Sequence, residues 1–510
     1  MNQLFGEFVA DILRRRKLLW FCVLVGVIAY GYELFHFNFS IDEEVFAELE
    51  NPVQWWIGVG RWGMALLNVV LLEFAAVPVV TTLLTIVGLS LSVVFTAAVW
   101  REEDGVAIRI AAPFAIAFPT LSFIMTFSVN NFGAGIGLAL AASSIYVITC
   151  GGWRMIALSA TLLGVAMGMY QSCLFVTFPI IAIYYFLGER SKGTGPVGGW
   201  VLYAVNVLAA AVIYLLVAKL LLVINGMELR YIQEYFNISD FAQRPVEIFT
   251  ELSLVIMKYL YGRHYIFIEN QMVLGVTLMA AVLIAIRVEF GKGISAVAAL
   301  LAVVFLVLLS PFALSIIAAQ EMPPRTYVAL PLAVASIVFL GARAAGHRAR
   351  WLLGILAFIC FVKFAAINNR LSYSENLSWQ ADRELAAKII EKAEENGIRF
   401  TEDYVPLFVL HAPTRFKSRI LFPADTMGAS FFRFAAGSYD RVAKFMNTTG
   451  IVRFRPANGE EIRRILAKTD SLSDWPEAGS VAMVDGVFVI KFGPMNGYQK
   501  DQMELDFGKF

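Results

Sequence analysis

The sequence predicts a polytopic α-helical membrane protein with a small soluble domain at its C-terminal end. Of its 510 residues, 59% are hydrophobic and 16% are charged, and the mean hydropathy is +0.68. Average soluble chains are about 45–50% apolar and about 25% charged, so this composition is typical of a chain embedded in lipid. The segment 368–510 differs, because it holds 19 basic and 19 acidic residues. We therefore expect a membrane domain over 1–367 and a soluble domain over 368–510.

The same composition excludes several classes of protein. A chain with 41 Phe and 10 Trp is neither disordered nor collagen-like, and a net charge of +1 predicts no nucleic-acid partner. The four cysteines all lie in apolar runs, where a free cysteine behaves as a small hydrophobe. Neither a disulfide framework nor a cysteine metal site is therefore predicted from Cys22, Cys150, Cys173 and Cys360.

About eleven apolar runs approach the roughly 20 residues that a membrane-spanning helix needs. They are Leu18–Phe37, Ala75–Ala98, Val106–Phe127, Phe132–Cys150, Met155–Tyr170, Cys173–Leu187, Trp200–Ile224, Ile268–Ile286, Ile294–Ile317, Tyr327–Leu340 and Trp351–Ala366. Three of these runs, which begin at Met155, Cys173 and Tyr327, are short for a full crossing.

The positive charges predict the orientation, because Lys and Arg collect in short cytoplasmic loops. With a cytoplasmic N-terminus, fourteen Lys and Arg lie on the inner side and six lie in the short outer loops. This topology puts loops 38–61 and 225–267 and the segment 368–510 outside. The basic cluster Arg14–Lys17 precedes the first run without a small-residue cleavage site after it, which indicates an uncleaved anchor.

The C-terminal segment contains patterns of both helix and strand. Glu384–Asn396 is typical of an amphipathic helix that stops at Gly397. Tyr404–Leu410 and Val481–Ile490 are rich in β-forming residues, and Asp485-Gly486 predicts a hairpin turn inside the second of them. We expect a small α/β or α+β domain.

The most prominent candidate for chemistry is the acidic triplet Asp42, Glu43 and Glu44, which follows the first apolar run. A carboxylate held just above the bilayer suits a general base that accepts a proton from a hydroxyl. Ser40-Ile41-Asp42-Glu43 also fits a capping box, in which these acidic residues only stabilise the start of a helix. The spacing leaves both interpretations open.

Aromatic and cationic residues form the second group of candidates. Trp56, Arg61 and Trp62 lie in the first outer loop, and two prolines precede Arg325 at the mouth of a later span. The planar, always charged guanidinium groups of Arg61 and Arg325 suit a lipid phosphate. The alternative is that the tryptophans and arginines only anchor the chain at the membrane interface.

Two further motifs lie at predicted outer ends of spans. Arg263 and His264 form a cationic spot among tyrosines, although a single histidine is more often structural. Tyr170-Gln171 suits a hydrogen bond to a sugar hydroxyl, and polar pairs of this kind also hold helices together. No metal site is predicted, because three adjacent carboxylates in a helical turn point in different directions.

Charged residues are nearly absent from the middle of the apolar runs. A transporter or a proton-coupled pump usually needs ionisable groups at that depth. This absence disfavours a flippase or transporter of lipid-linked sugars, which is the main alternative outside the enzymes.

The motifs together resemble the bacterial O-antigen glucosyltransferases of the serotype-converting type, which belong to the C-type glycosyltransferase (GT-C) superfamily. The resemblance rests on Asp42-Glu43-Glu44, the segment Trp56–Gly63 ending in Gly-Arg-Trp-Gly, the pair Tyr170-Gln171 and the C-terminal soluble domain. The acidic motif of the family commonly reads Asp-Asp-Glu, so the departure here leaves open which carboxylate is the base. The resemblance favours Asp42.

The resemblance implies an inverting enzyme of the inner membrane that works on the periplasmic side without a cofactor. It would move glucose from undecaprenyl-phosphate glucose to lipopolysaccharide O-antigen, with Asp42, Glu43 and Glu44 as catalytic candidates. Arg61, Arg325 and Arg263 become candidates for the donor phosphate, and Trp56, Trp62, Tyr170, Gln171 and His264 become candidates for substrate binding. The implied partners are membrane lipids, a separate flippase and a cytoplasmic-side synthase of the donor. A GT-C transferase that uses another polyprenyl-phosphate sugar is the nearest alternative.

Overall fold

A computed structural model describes most of the chain. The described residues are 10–49, 51–72, 77, 79–102, 105–188, 196–227, 244–400, 404–414, 420–450, 452–495, 497 and 499–501. The predicted outer loop 225–267 therefore lies partly outside the described residues. The chain divides into two compact units, of which unit 1 comprises 1–37 and 51–369 and unit 2 comprises 38–50 and 370–510.

Unit 1 is built from helices. They are α1 Arg16–Ala29, α2 Gly31–Phe35, α4 Pro52–Gly58, α5 Trp62–Leu67, α6 Val80–Val99, α7 Val106–Ala117, α8 Ser122–Met125, α9 Asn131–Thr149, α10 Trp153–Met169, α11 Thr177–Phe186, α12 Pro196–Ile224, α13 Pro245–Leu260, α14 Met272–Phe290, α15 Ile294–Leu309, α16 Ala313–Ala318 and α17 Leu330–Ala344. Helix α3, Glu43–Ala47, belongs to unit 2. Short 3-10 turns at Pro119–Leu121, Gln171–Val176, Tyr265–Phe267, Ser310–Phe312 and Pro324–Thr326 join several of the helices.

Each of the eleven predicted apolar runs falls on one or more helices. Among the described residues, seven helical segments are long and apolar enough to cross a membrane. The helices over Trp153–Met169, Gln171–Phe186 and Leu330–Ala344 are shorter, and α1 ends at Ala29. Eleven full spans are therefore not confirmed. Apolar side chains such as Leu208, Leu216 and Leu220 are exposed on α12, as expected of a helix that contacts lipid.

Helices α6 and α9 approach each other closely where Gly88 and Gly135 face one another. A Cβ atom on Gly135 would lie 2.6 Å from the Cα of Thr85 on α6. Small residues allow helix backbones to approach closely in membranes, where dispersion contacts replace the hydrophobic effect as the source of stability. The glycines therefore permit the α6–α9 contact.

Unit 2 contains a four-stranded sheet in the order β2-β1-β4-β3, with β1 Val405–Leu410, β2 Phe454–Pro456, β3 Val481–Val484 and β4 Val487–Lys491. Strand β1 pairs in parallel with β2 and β4, and β3 and β4 form an antiparallel hairpin. The turn between β3 and β4 is Asp485-Gly486, as predicted. Both of these residues have positive φ, which a tight hairpin turn requires.

Helices cover both faces of this sheet. Side chains alternate along a strand, so Leu407 and Val409 of β1 pack into one core, and Phe408 and Leu410 pack into another. The first core includes residues of α18, His347–Glu395, and α19, Tyr439–Thr448; the second includes residues of α20, Gly459–Thr469. Unit 2 is thus an α/β structure with a mixed sheet.

The last apolar run and the predicted amphipathic helix are one helix rather than two. Helix α18 has 49 residues, from His347 to Glu395, and would measure about 73 Å at 1.5 Å per residue. The two were expected to be separate, but no Gly or Pro interrupts the sequence between Ile355 and Asn396. The helix ends where predicted, since Gly397 has a φ of +75° and Ile398 donates a hydrogen bond back to Ala393.

The segment 38–50 belongs to unit 2, although the sequence suggested a loop of the membrane domain. Ile41 is fully buried in the first core of unit 2, and Phe39 contacts the ring of Phe431. The amide of Asn376 on α18 donates a hydrogen bond of 3.0 Å to Asn38. The apolar side chains at 39 and 41 therefore attach this segment to a core formed mainly by the end of the chain.

Replacing Gly135 with Ala should destabilise unit 1, because the new methyl group meets the backbone of α6 rather than a movable side chain. We expect a loss of about 1–3 kcal/mol, the usual cost of overpacking, measured as a lower thermal unfolding midpoint of the purified protein. Gly354→Ala is the matched control, since its Cβ would meet nothing nearer than 3.9 Å. Equal midpoints for both variants would contradict the close α6–α9 contact.

Candidate functional site

The acidic triplet lies at the start of the short helix α3. Asp42 is the residue before the helix and has a φ of 87°, in the left-handed region. Few residues other than Gly adopt this conformation, although Asp and Asn tolerate it best. With this backbone conformation, the carboxylates of Asp42, Glu43 and Glu44 point in different directions.

The three carboxylates have different partners. Glu43 accepts a hydrogen bond of 3.0 Å from the backbone N–H of Ser40, as the capping-box interpretation predicted. The helix nevertheless begins two residues later than that interpretation required, with Asp42 rather than Ser40 at the N-cap. Glu44 accepts a bond of 2.7 Å from the N–H of Asp42. Glu43 and Glu44 are buried, and the side chain of Asp42 is 38% exposed.

Arg441 of helix α19 binds two of the three carboxylates. Its Nη2 atom donates to Asp42 Oδ1 at 2.8 Å, and its Nη1 atom donates to Glu44 Oε1 at 2.5 Å. Burial raises the pKa of Glu44, and the positive charge of Arg441 acts in the opposite direction. Burial also disfavours the charged form of Arg441, but the two carboxylates outweigh it and raise its pKa. We refer to Asp42, Glu44 and Arg441 as the carboxylate clamp.

A second group of predicted residues meets in unit 1. Arg61 donates through Nε to Gln171 Oε1 at 3.4 Å, and its guanidinium carbon lies 4.7 Å from the centre of the Tyr170 ring. Tyr170 donates its hydroxyl hydrogen to the backbone carbonyl of Arg325 at 2.9 Å. The structure thus brings together Arg61, Tyr170, Gln171 and Arg325, which we call the arginine cluster.

Of the two predicted tryptophans, Trp56 contacts the arginine cluster directly. Trp56 is buried, with its ring centre 5.7 Å from the Arg61 guanidinium carbon. Trp62 packs against Gly168, where any side chain would collide with the indole ring. Among the described residues, no carboxylate pairs with Arg61. An arginine on aromatic rings and without an acidic partner is well suited to an anionic ligand.

The histidine and the third arginine have different surroundings. His264 is buried, stacks on Tyr259 with ring centres 3.9 Å apart, and lies 2.8 Å from Glu321 Oε1 through Nε2. The side chain of Arg263 is exposed and forms no hydrogen bond or ion pair with the described part of the chain. The structure therefore does not bring Arg263 to the arginine cluster, while His264 contacts the turn that carries Arg325.

Several functional candidates were missed from the sequence. Arg441 and Glu321 become candidates only through the residues that they contact, and those residues lie far away in the sequence. Polar atoms of the segment 119–131 are a third case, because residues 119–127 belong to the predicted apolar run Val106–Phe127. Buried oxygens there have no hydrogen-bond partner within the described residues, namely those of the Thr120 and Ser122 hydroxyls and of the Asn130 and Asn131 amides.

The segment 119–131 also contacts the turn that carries Arg325. Pro119–Leu121 and α8 pack against Pro324–Thr326, and the Arg325 guanidinium carbon lies 5.5 Å from the ring centre of Phe127. Buried polar groups are usually hydrogen-bonded, so a group of unsatisfied oxygens calls for an explanation such as water or a ligand. These oxygens can accept hydrogen bonds from water or from a ligand that carries donor groups.

Within the part of the chain that the structure describes, no three His, Cys, Asp or Glu side chains are arranged to hold a metal ion. This agrees with the separate partners of Asp42, Glu43 and Glu44. The clamp carries a cation of its own in Arg441, which occupies the position between two of the carboxylates.

Long apolar helices and a cluster of arginine and polar side chains at the helix ends define an integral membrane protein with a candidate site for an anionic ligand. The chain belongs to the family described as Glucosyl transferase GtrII, whose profile matches residues 31–341, more than half of its length. It is therefore a glycosyltransferase. The comparisons with curated proteins and with solved structures found no match. The matched region includes the acidic triplet and the arginine cluster, and Arg441 lies beyond it.

Replacing Arg441 with Met should destabilise the protein, because it leaves the buried Glu44 carboxylate without its counter-ion. Removing one partner of a buried ion pair costs about 3–5 kcal/mol, and the partial exposure of Arg441 puts the expected loss at about 2–3 kcal/mol. The loss should grow with pH. Without Arg441 the folded-state pKa of Glu44 lies further above its unfolded value, so stability is retained below the unfolded pKa and falls as pH rises through the folded one.

The measurement is the thermal unfolding midpoint of the purified full chain between pH 4.5 and 8. We expect a drop of about 5–10 °C near neutral pH and a smaller one at the acidic end. Adding Glu44→Gln to Arg441→Met should recover much of the loss, and Arg453→Met, a change at an exposed arginine of unit 2, should have little effect. A pH-independent loss without recovery would show that Arg441 acts through packing alone.

Proposed function

We propose that the protein is an inverting glucosyltransferase of the bacterial inner membrane. It transfers glucose from undecaprenyl-phosphate glucose to lipopolysaccharide O-antigen on the periplasmic side and thereby changes the serotype. The family supports glucosyl transfer. The observation that carries the choice of donor is Arg61, a cation held on aromatic rings without an acidic partner among the described residues.

In this proposal Asp42 is the general base. A base must be ionised and must reach the substrate, and of the three carboxylates only that of Asp42 is substantially exposed. Glu43 is engaged with the backbone of Ser40, and burial favours the protonated form of Glu44. The second oxygen of Asp42 remains for the acceptor, because Arg441 binds Oδ1.

The proposed reaction is a single displacement. The oxygen of an acceptor hydroxyl attacks the anomeric carbon of glucose, and the bond from that carbon to the donor phosphate oxygen breaks. The hydroxyl proton passes to Asp42, and the electron pair leaves with undecaprenyl phosphate. Attack from the side opposite the leaving group inverts the anomeric carbon. Bringing the two substrates together in the right orientation can supply much of the rate enhancement.

The arginine cluster is assigned to the donor phosphate. Guanidinium groups bind phosphate oxygens in a planar fork, and they stabilise the charge that develops as the phosphate leaves. Arg61 and Arg325 take this role. Gln171 binds the side chain of Arg61, and Tyr170 binds the backbone carbonyl of Arg325. The unsatisfied oxygens of 119–131 are assigned to binding the glucose hydroxyls. His264 supports the turn that carries Arg325 through its contact with Glu321. The exposed Arg263 is assigned only a peripheral contact. No cofactor or metal is required in this scheme.

Asp42→Asn should abolish transfer, because the amide cannot accept the proton, while Asn keeps the left-handed backbone that Asp42 adopts. The assay measures labelled glucose passing from undecaprenyl-phosphate glucose to O-antigen lipopolysaccharide, with purified protein and chelator present. Asp440→Asn is the control, since that carboxylate is similarly exposed, at 44%, and pairs with Lys444. We expect a loss of at least about 100-fold, the usual contribution of a general base. Full activity of Asp42→Asn would refute the assignment of the base. Activity of the wild type with another sugar donor only would show that the transferred sugar is not glucose.

Arg61→Gln should raise the KM for the donor by about 10-fold or more, since a charge-assisted bond to phosphate contributes about 1.5–3 kcal/mol. The KM for the acceptor should change little. The same substitution at Arg325 should act similarly, and at Arg263 it should act more weakly because that side chain stands apart. Arg154→Gln, at the start of α10 and thus at the opposite end of that helix from Tyr170, is the control. An unchanged donor KM in Arg61→Gln would place the phosphate elsewhere.

A further inference from the structure

Unit 2 contains a large cleft that the proposed reaction has not used. Its volume is about 1110 Å³, which exceeds the usual range of about 300–1000 Å³ for small-molecule pockets. One wall is the face of α18 that carries Asp382, Glu384 and Lys388. Residues 428–430 and 433–435 and Trp475 form much of the remaining lining.

The lining carries charges of both signs and has a mixed polarity. It includes the carboxyl groups of Asp382 and Glu384 and the cations of Lys388 and Arg433, and burial raises the pKa of Asp382 to about 7. A site for a phosphate would carry an excess of positive charge, and a site for a lipid chain would be apolar. Neither description fits this cleft, so its lining favours an uncharged ligand that presents many hydroxyl groups.

Aromatic rings complete the lining. Phe434 and Trp475 are both partly exposed at the cleft. Flat aromatic rings pack against the C–H faces of sugar rings, while charged and hydroxyl side chains bond to the sugar hydroxyls. Asp382 is already held in place, since it accepts hydrogen bonds from the Ser430 hydroxyl at 2.7 Å and from the Phe431 N–H at 2.6 Å. The carboxyl group of Asp382 therefore has a fixed position in the lining.

The cleft adjoins the carboxylate clamp through one residue. The guanidinium carbon of Arg441 lies 5.0 Å from the centre of the Phe434 ring, and the same guanidinium binds Asp42. Phe434 therefore has the cleft on one side and the partner of the proposed base on another. A chain of sugars that fills the cleft would end close to Asp42.

We propose that this cleft binds the acceptor glycan, a chain of several sugar units, and presents one of its hydroxyls to Asp42. The proposal rests on the proposed function for the identity of the acceptor. Its geometric basis is the size of the cleft, its mixed polar and aromatic lining and its contact with the clamp through Phe434. Selection among acceptors would then depend on unit 2 rather than on the arginine cluster.

The test uses the purified full chain and the O-polysaccharide released from the lipopolysaccharide of the bacterium that encodes it. Ala381 lines the cleft, and Ala381→Trp would place a bulky ring in it. Ala387→Trp is the matched control, because Ala387 lies on the same helix, is exposed and is not part of the lining. The double change Glu384→Ala and Lys388→Ala removes two exposed side chains without disturbing the core. The readouts are the Kd for the polysaccharide and the separate KM values for acceptor and donor.

We expect Ala381→Trp and the double variant to raise the Kd and the acceptor KM by about 10-fold or more, equivalent to about 1.4 kcal/mol, with an unchanged donor KM. Ala387→Trp should behave as the wild type. An active wild type whose Kd and acceptor KM are unchanged in both cleft variants would overturn the cleft proposal and leave the proposed function standing. Cleft-dependent binding without glucosyl transfer by the wild type would support the cleft and overturn the proposed function. A wild type that neither binds nor transfers would overturn both.

Discussion

The ion pairs of Arg441 with Asp42 and Glu44 are the interaction on which the organisation of unit 2 depends. A fully buried carboxylate such as Glu44 is stable only where an opposite charge and hydrogen bonds replace its lost water. The clamp supplies both, and the burial of Ile41 adds an apolar attachment beside it. Together they fix a short segment from the beginning of the chain on a domain formed by its end. The same contacts leave one carboxylate, that of Asp42, at the surface, where chemistry on a substrate is possible.

The main polar feature of unit 1 is the arginine cluster, in which cations lie at the ends of apolar helices. Arg61 lies between aromatic rings and donates to Gln171, and Gln171 in turn donates to the carbonyl of Val59 at 2.9 Å. Tyr170 connects this group to the Arg325 turn. These side chains come from positions 110 to 155 residues apart, and each hydrogen bond limits the freedom of a flexible side chain before any ligand arrives. A preorganised group of this kind loses less entropy when it binds an anion.

Sequence patterns predicted the individual helices and strands of this fold better than the way in which they pack together. Length and apolarity located the helices of unit 1, and β-forming residues with Asp485-Gly486 located the hairpin of unit 2, because these signals are local. The single helix α18 was divided in two, because a change in polarity at Asn368 looked like an end although nothing there breaks a helix. Arg441 had no local signal at all, since it is one of many arginines and lies 397 residues from Glu44. The sequence identified the candidate site residues individually, and the structure shows which of them are in contact.

Unit 2 combines the segment 38–50 with residues 370–510, and this has a consequence for biosynthesis. The segment around Glu44 leaves the ribosome long before Arg441, and at about 5–20 residues per second the interval of 397 residues takes about 20–80 seconds. Throughout that interval the two carboxylates remain hydrated and the apolar side chain of Ile41 has no core to enter. The segment can therefore dock only after the residues of the helical unit have been synthesised. A prematurely terminated chain would contain the matched family region and yet never assemble its clamp.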